Sequence, residues 1–127
     1  PPNKVAKSFF SHLGSVIEVK NENVCNKFWS TSALMAPFYE LLKVSNDWLV
    51  RKGVEKSKAT NYITELFLGL SQDAVNKKTN GLKKLVAESQ TPKGLNEQAL
   101  KELQREKFYS KLNKTLNNIH TRLNKTK

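Results

Sequence analysis

The stretch Ser89-Gln90-Thr91-Pro92-Lys93-Gly94-Leu95-Asn96-Glu97-Gln98-Ala99-Leu100 decides how the rest of the chain is read, because it is the one place where loop chemistry interrupts a series of amphipathic helical patterns. Pro92 cannot continue a preceding helix, and Gly94 permits a backbone angle that other residues avoid. The Asn96-Glu97-Gln98 run then opens a new helical pattern carrying Leu95, Ala99, Leu100 and Leu103. A helix that starts there turns backbone N–H groups and the positive end of its dipole outward. Such an end receives a carboxylate or a phosphate without any cationic side chain. The plainer alternative is a simple connection between two helices.

Outward from this loop the apolar spacing is helical on both sides. On the C-terminal side Phe108, Leu112, Leu116, Ile119 and Leu123 recur every three or four residues and predict a helix to about Lys125. On the N-terminal side Leu82, Leu85 and Val86 predict a short helix, preceded by a polar turn over residues 76–81. Lys77, Lys78, Lys83 and Lys84 lie close together there and read as exposed lysines. Before the turn, Ala59, Tyr62, Ile63, Leu66, Phe67, Leu70 and Ala74 trace a helix of about five turns, with Ser57 as its cap. Gly53 closes the helix ahead of that one, which runs to about Lys52 and carries Phe38, Leu41, Leu42, Ser45, Trp48 and Leu49. Pro37 belongs in its first turn or kinks the passage. Apolar surface this broad is more than one neighbouring helix covers, and it predicts burial between helices or between chains.

The N-terminal part differs. Asn3 caps a helix bearing Val5, Ala6, Phe9, Phe10 and Leu13, and Gly14 stops it. Residues 15–19, Ser-Val-Ile-Glu-Val, read as a short β-strand. A lone strand has no ladder partner, so helix and strand together look like the end of an α/β domain whose earlier strands are absent. Asn21 or Asn23 then caps a helix with Val24, Cys25, Phe28 and Trp29.

From residue 31 to residue 125 this order of elements resembles the C-terminal helical domain of pyrroline-5-carboxylate reductases, whose hallmark is a Thr-Ser-Pro-Gly-Gly-Thr-Thr loop between two helices. Gln90 to Asn96 stands in that place, and residues 91–98 are similar to a Thr-Pro-Gly-Gly-Leu-Asn-Glu-Gln variant at every position but Lys93. Pro37 and Tyr39 match the family's Ser-Gly-Ser-Gly-Pro-Ala-Tyr passage, while Ala33, Leu34, Met35 and Ala36 depart from it.

The resemblance implies an all-α fold, a helical-bundle dimerisation domain of the 6-phosphogluconate dehydrogenase C-terminal-like kind, with a short helix-strand remnant of a missing Rossmann domain. Residues 1–20 would end the dinucleotide-binding domain, and residues 21–127 would form the dimerisation and substrate domain. It further implies a homodimer and a small cyclic imine or keto carboxylate as substrate, of the proline-biosynthesis type. The cofactor would be NADP(H) or NAD(H), held mainly by the N-terminal domain, so that this piece alone is inactive. Thr91, Pro92, Lys93, Gly94, Leu95 and Asn96 would form the substrate loop. Asn96 occupies the place of a hydroxyl that assists at the imine nitrogen, and it can donate a hydrogen bond but is a poor acid.

Composition sets the remaining bounds. At 127 residues, with 38% hydrophobic and 26% charged residues, the chain is one ordinary globular domain. No apolar run approaches the roughly 20 residues that cross a bilayer, no signal segment opens the chain, and the expected location is the cytoplasm. The single Cys25 reads as a small buried or half-buried thiol, and His12 and His120 lack partners at ligand spacing, so no metal site is expected. The net charge is +11, and from Arg105 onward seven basic residues less one acidic residue, Glu106, leave +6 of it. A basic helical module that binds nucleic acid is therefore the alternative function. No helix-turn-helix signature, zinc spacing or aromatic ladder accompanies the charge, and a solvated lysine face explains it more simply.

Overall fold

The computed structural model describes residues 3–77 and 81–125. Seven helices follow one another among them: α1 (Lys4–Ser11), α2 (Glu22–Ser32), α3 (Met35–Arg51), α4 (Lys56–Lys77), α5 (Gly81–Glu88), α6 (Leu95–Arg105) and α7 (Phe108–Lys125). There is no strand among the described residues, and the fold is all-α.

The caps explain most of the boundaries. Asn3 accepts from the Ala6 N–H at 3.1 Å and starts α1, and Asn21 accepts from the Val24 N–H at 3.1 Å and starts α2. Pro37 sits in the first turn of α3, where its missing N–H is one that the helix would leave unpaired in any case; the first helical bond is Phe38 N–H to Leu34 O, 2.9 Å. At the other end Gly53 takes φ +91°, with Val54 N–H bonded to Leu49 O at 3.1 Å and Gly53 N–H to Val50 O at 3.0 Å. That bond pair is a Schellman closure, and it reverses the chain into α4. Helix α4 begins at Lys56, so Ser57 lies inside its first turn with the hydroxyl donated back to the Glu55 carboxylate. Asn76 and Lys77 extend α4 and Gly81 opens α5; residues 78–80 of the expected polar turn, with Lys78, lie outside the described residues.

The strand expected at residues 15–19 does not form. A strand needs a neighbour to pair its N–H and C=O groups, and the described chain offers none. Residues 15–19 instead turn back beside α1, where Lys7 pairs with Glu18, and Val16, Ile17 and Val19 stay exposed.

Packing is pairwise. Helices α3 and α4 form an antiparallel hairpin, with the Phe38 and Phe67 rings edge to face at 6.1 Å and Thr60 Oγ1 donating to Asn46 Oδ1 at 3.1 Å. Helix α7 packs on α2 and on α6, with Leu112, Leu116, Ile119 and Leu123 half-buried along its apolar stripe. Cys25, on α2, is half-buried.

Little of the apolar surface is enclosed. Ala59 and Ile63 on α4 are the buried hydrophobic residues among those described. Trp48 and Tyr62 remain more than half exposed, as do Val44 and Leu70. An apolar groove of about 450 Å³ runs between α3 and α7, lined by Leu34, Pro37, Leu41, Val44, Phe108 and Leu112. Contiguous exposed apolar surface of this extent is characteristic of an interaction face.

Candidate substrate loop

Helix α5 ends at Glu88, and the chain enters α6 through Gln90 to Gly94. Thr91 O accepts the Gly94 N–H at 2.7 Å, which closes a four-residue turn with Pro92 and Lys93 at its centre. Lys93 takes φ +63°. Proline at the second position and a positive φ at the third is the pattern of a type II turn. The left-handed residue is therefore Lys93, and Gly94, expected to supply that angle, has φ −82° and ψ 168° instead. Gly94 is the fourth residue of the turn and the N-cap of α6, a position that needs extended backbone. Its lack of a side chain matters for space. A Cβ on Gly94 would lie 2.9 Å from Thr91 O and 3.1 Å from the Thr91 Cβ, so the turn and the helix start approach too closely for a larger residue.

Gln98 N–H makes the first bond of α6, to Gly94 O at 3.1 Å, which leaves the N–H groups of Leu95, Asn96 and Glu97 without an acceptor inside the helix. The loop thus brings Thr91, Pro92, Lys93, Gly94, Leu95 and Asn96 together around one helix N-terminus. Leu95 is 84% exposed. Asn96 does not point its amide into open space, because Nδ2 donates to Ser89 O at 2.9 Å and ties the start of α6 to the end of α5. One acidic side chain lies at this end. Glu97 Oε2 accepts the Lys93 N–H at 2.7 Å, and Oε1 stands 2.6 Å from Lys101 Nζ. The Lys101 hydrogen bond first, and the Lys93 N–H second, hold the Glu97 carboxyl below the usual glutamate range.

Glu97 was not singled out by sequence reasoning, although its place three residues after the N-cap is the spacing of a capping box. A second missed feature lies between α2 and α7. Asn26 and Ser30 are buried polar residues. Asn26 Nδ2 donates to Asn124 Oδ1 at 3.3 Å, Ser30 Oγ donates to Asn26 O at 2.8 Å, and His120 stands 3.4 Å from Ser30 Oγ through Nδ1 and 3.1 Å from Asn124 Nδ2 through Nε2. A proton on Nδ1 satisfies every bond at once, so the ring donates to Ser30 and accepts from Asn124. The signal was present as two polar pairs at i, i+4, Asn26 with Ser30 and His120 with Asn124. Among the described residues no cluster of His, Cys, Asp or Glu could hold a metal ion, and no helix is long and apolar enough to cross a membrane.

The family model for pyrroline-5-carboxylate reductase dimerisation matches residues 29–126. The chain belongs to that family. Its match begins within α2 and takes in the hairpin of α3 and α4, the Thr91 to Asn96 loop and α7. No curated protein and no solved structure matches the chain. Within the reductase dimerisation family, the Lys93 corner and the Glu97 contact describe how this chain builds its loop.

Proposed function

We propose that the chain is the dimerisation and substrate-loop part of a pyrroline-5-carboxylate reductase-like oxidoreductase, which reduces a small cyclic imine carboxylate with NADPH or NADH. The observation that carries this reading is the α6 N-terminus, set on a proline turn where the family places its substrate loop. The N–H groups of Leu95 and Asn96 would receive the substrate carboxylate, drawn by the positive end of the helix. Held there, the substrate presents one face and one distance to the reacting partner, which is how binding lowers a barrier without covalent chemistry.

The nicotinamide nucleotide supplies the hydride, and it has no cradle in these residues. The five glycines, Gly14, Gly53, Gly69, Gly81 and Gly94, nowhere form a Gly-x-Gly-x-x-Gly run. Residues 1–20 are read as the end of a dinucleotide-binding domain that lies upstream. Asn96 serves as a positioning group in this reading, because its amide is already engaged with Ser89 O. Two copies associate through the exposed apolar faces of α3 and α4, and the location is cytoplasmic.

The test is oxidation of NADPH or NADH by the protein with its nucleotide domain, in the presence and absence of pyrroline-5-carboxylate. Substrate-dependent oxidation that Gly94→Val abolishes supports the reading. Absence of turnover with both nucleotides, by a dimeric protein that binds them, overturns it.

A further inference from the structure

Lys93 holds a backbone conformation that crowds the Cβ of any L-residue, at the turn corner where glycine would sit without strain. The bonds around it explain why it stays there. Thr91 O takes the Gly94 N–H, the donor that a capping-box glutamate ordinarily takes, so the Glu97 carboxylate reaches one residue further back and accepts the Lys93 N–H. Lys101, one helical turn on, fixes the other carboxylate oxygen. The Glu97 side chain is only 25% exposed, against 66% for Lys101, so the contact is partly shielded from water.

We propose that Glu97 is the positioning residue of this loop: its carboxylate, steered by Lys101, holds Lys93 in the left-handed conformation and so keeps the Thr91–Gly94 turn closed. Glu97 does the work that a glycine at position 93 would do through conformational freedom. A charge-assisted bond to the N–H of the strained residue is a direct way to do so, since rotation of φ at Lys93 out of the left-handed region swings the turn away from the carboxylate. The inference concerns the shape of the loop and holds independently of what binds there.

The reporter is the Gly94 amide, whose bond to Thr91 O exists only while the turn is closed. Its hydrogen exchange is followed by NMR in the unmodified protein, in Glu97→Ala, in Lys93→Gly and in the double variant, with the Gln98 to Arg105 amides as a measure of α6 itself. Gly94 is expected to exchange at least tenfold faster in Glu97→Ala and to recover most of its protection in Glu97→Ala/Lys93→Gly, because glycine keeps the turn without the carboxylate. Unchanged Gly94 protection in Glu97→Ala overturns the proposal. So does a double variant that exchanges as fast as Glu97→Ala, or a loss shared equally by the α6 amides, since either makes Glu97 an ordinary helix-stabilising residue.

Discussion

Replacing Leu66 with Asp should separate the two copies. Leu66 lies on the apolar side of α4 and keeps 41% of its surface exposed in the single chain. Full burial of a leucine side chain contributes about 1.5–3 kcal/mol, so covering the remaining surface in a dimer contributes about 0.6–1.2 kcal/mol per copy. Twofold symmetry doubles it, to about 1–2.5 kcal/mol. An aspartate there loses this and also leaves an unpaired carboxylate in an apolar interface, which costs several kcal/mol for each copy. The dissociation constant should rise on the order of a thousandfold or more, at about 1.4 kcal/mol for each factor of ten. Leu66→Ala, which removes only the apolar term, should weaken the dimer by roughly tenfold. Asn61→Asp, an exposed site on the same helix, controls for the added charge. Sedimentation equilibrium at micromolar concentration reads all four proteins. A Leu66→Asp protein that keeps the unmodified dissociation constant refutes the assignment of this face, and an unmodified protein that sediments as a monomer refutes the dimer.

Gly94→Val should abolish carboxylate binding while the helices stay folded, because the backbone at φ −82° accepts valine but its Cβ collides with Thr91; steady-state kinetics on pyrroline-5-carboxylate with an unchanged KM would show the loop to be a connection only. Asn96→Ala loses the bond to Ser89 O and should cost about 1 kcal/mol in thermal unfolding, and a fall in affinity larger than the fall in turnover would mark Asn96 as a positioning group. Glu97 has its folded pKa held down by Lys101 and Lys93, so the stability it adds is present above the ordinary glutamate range and is lost as pH falls through the folded value. Melting temperature should therefore drop over that acidic interval, and Glu97→Gln should flatten the drop. Ser30→Ala removes the hydroxyl between His120 and Asn26 O and should destabilise by about 1 kcal/mol, read by chemical denaturation; no loss would show that the Ser30 to His120 bond adds nothing to the docking of α2 on α7.

The helices were legible because their apolar residues recur every three or four positions and because Asn3, Asn21, Pro37 and Gly53 each carry a specific terminal chemistry. The loop's location was legible for the same reason, through Pro92 and Gly94. The left-handed residue of the loop is Lys93 and not Gly94, because a proline at the second turn position puts the positive φ one residue later. Residues 15–19 have β-branched composition, but composition gives propensity and cannot provide a pairing partner. Ser57 looked like a cap because hydroxyl residues favour that place, yet the helix had already begun at Lys56. The Asn26, Ser30, His120 and Asn124 network joins segments far apart in the chain: each polar pair at i, i+4 is visible locally, but neither says that it meets the other.

That network fixes when α2 can settle. Asn26 and Asn124 are separated by 98 positions, and a ribosome adding about 5–20 residues per second needs on the order of 5–20 s to cover that distance. During that interval α2 has left the ribosome with Asn26 and Ser30 uncovered, while the hairpin of α3 and α4, whose halves are neighbours in the chain, already closes. Synthesis order alone therefore lets the α3 and α4 hairpin form before α2 has α7 to dock on. Translation speed across α4 to α6 sets how long α2 waits in water before α7 exists to cover it.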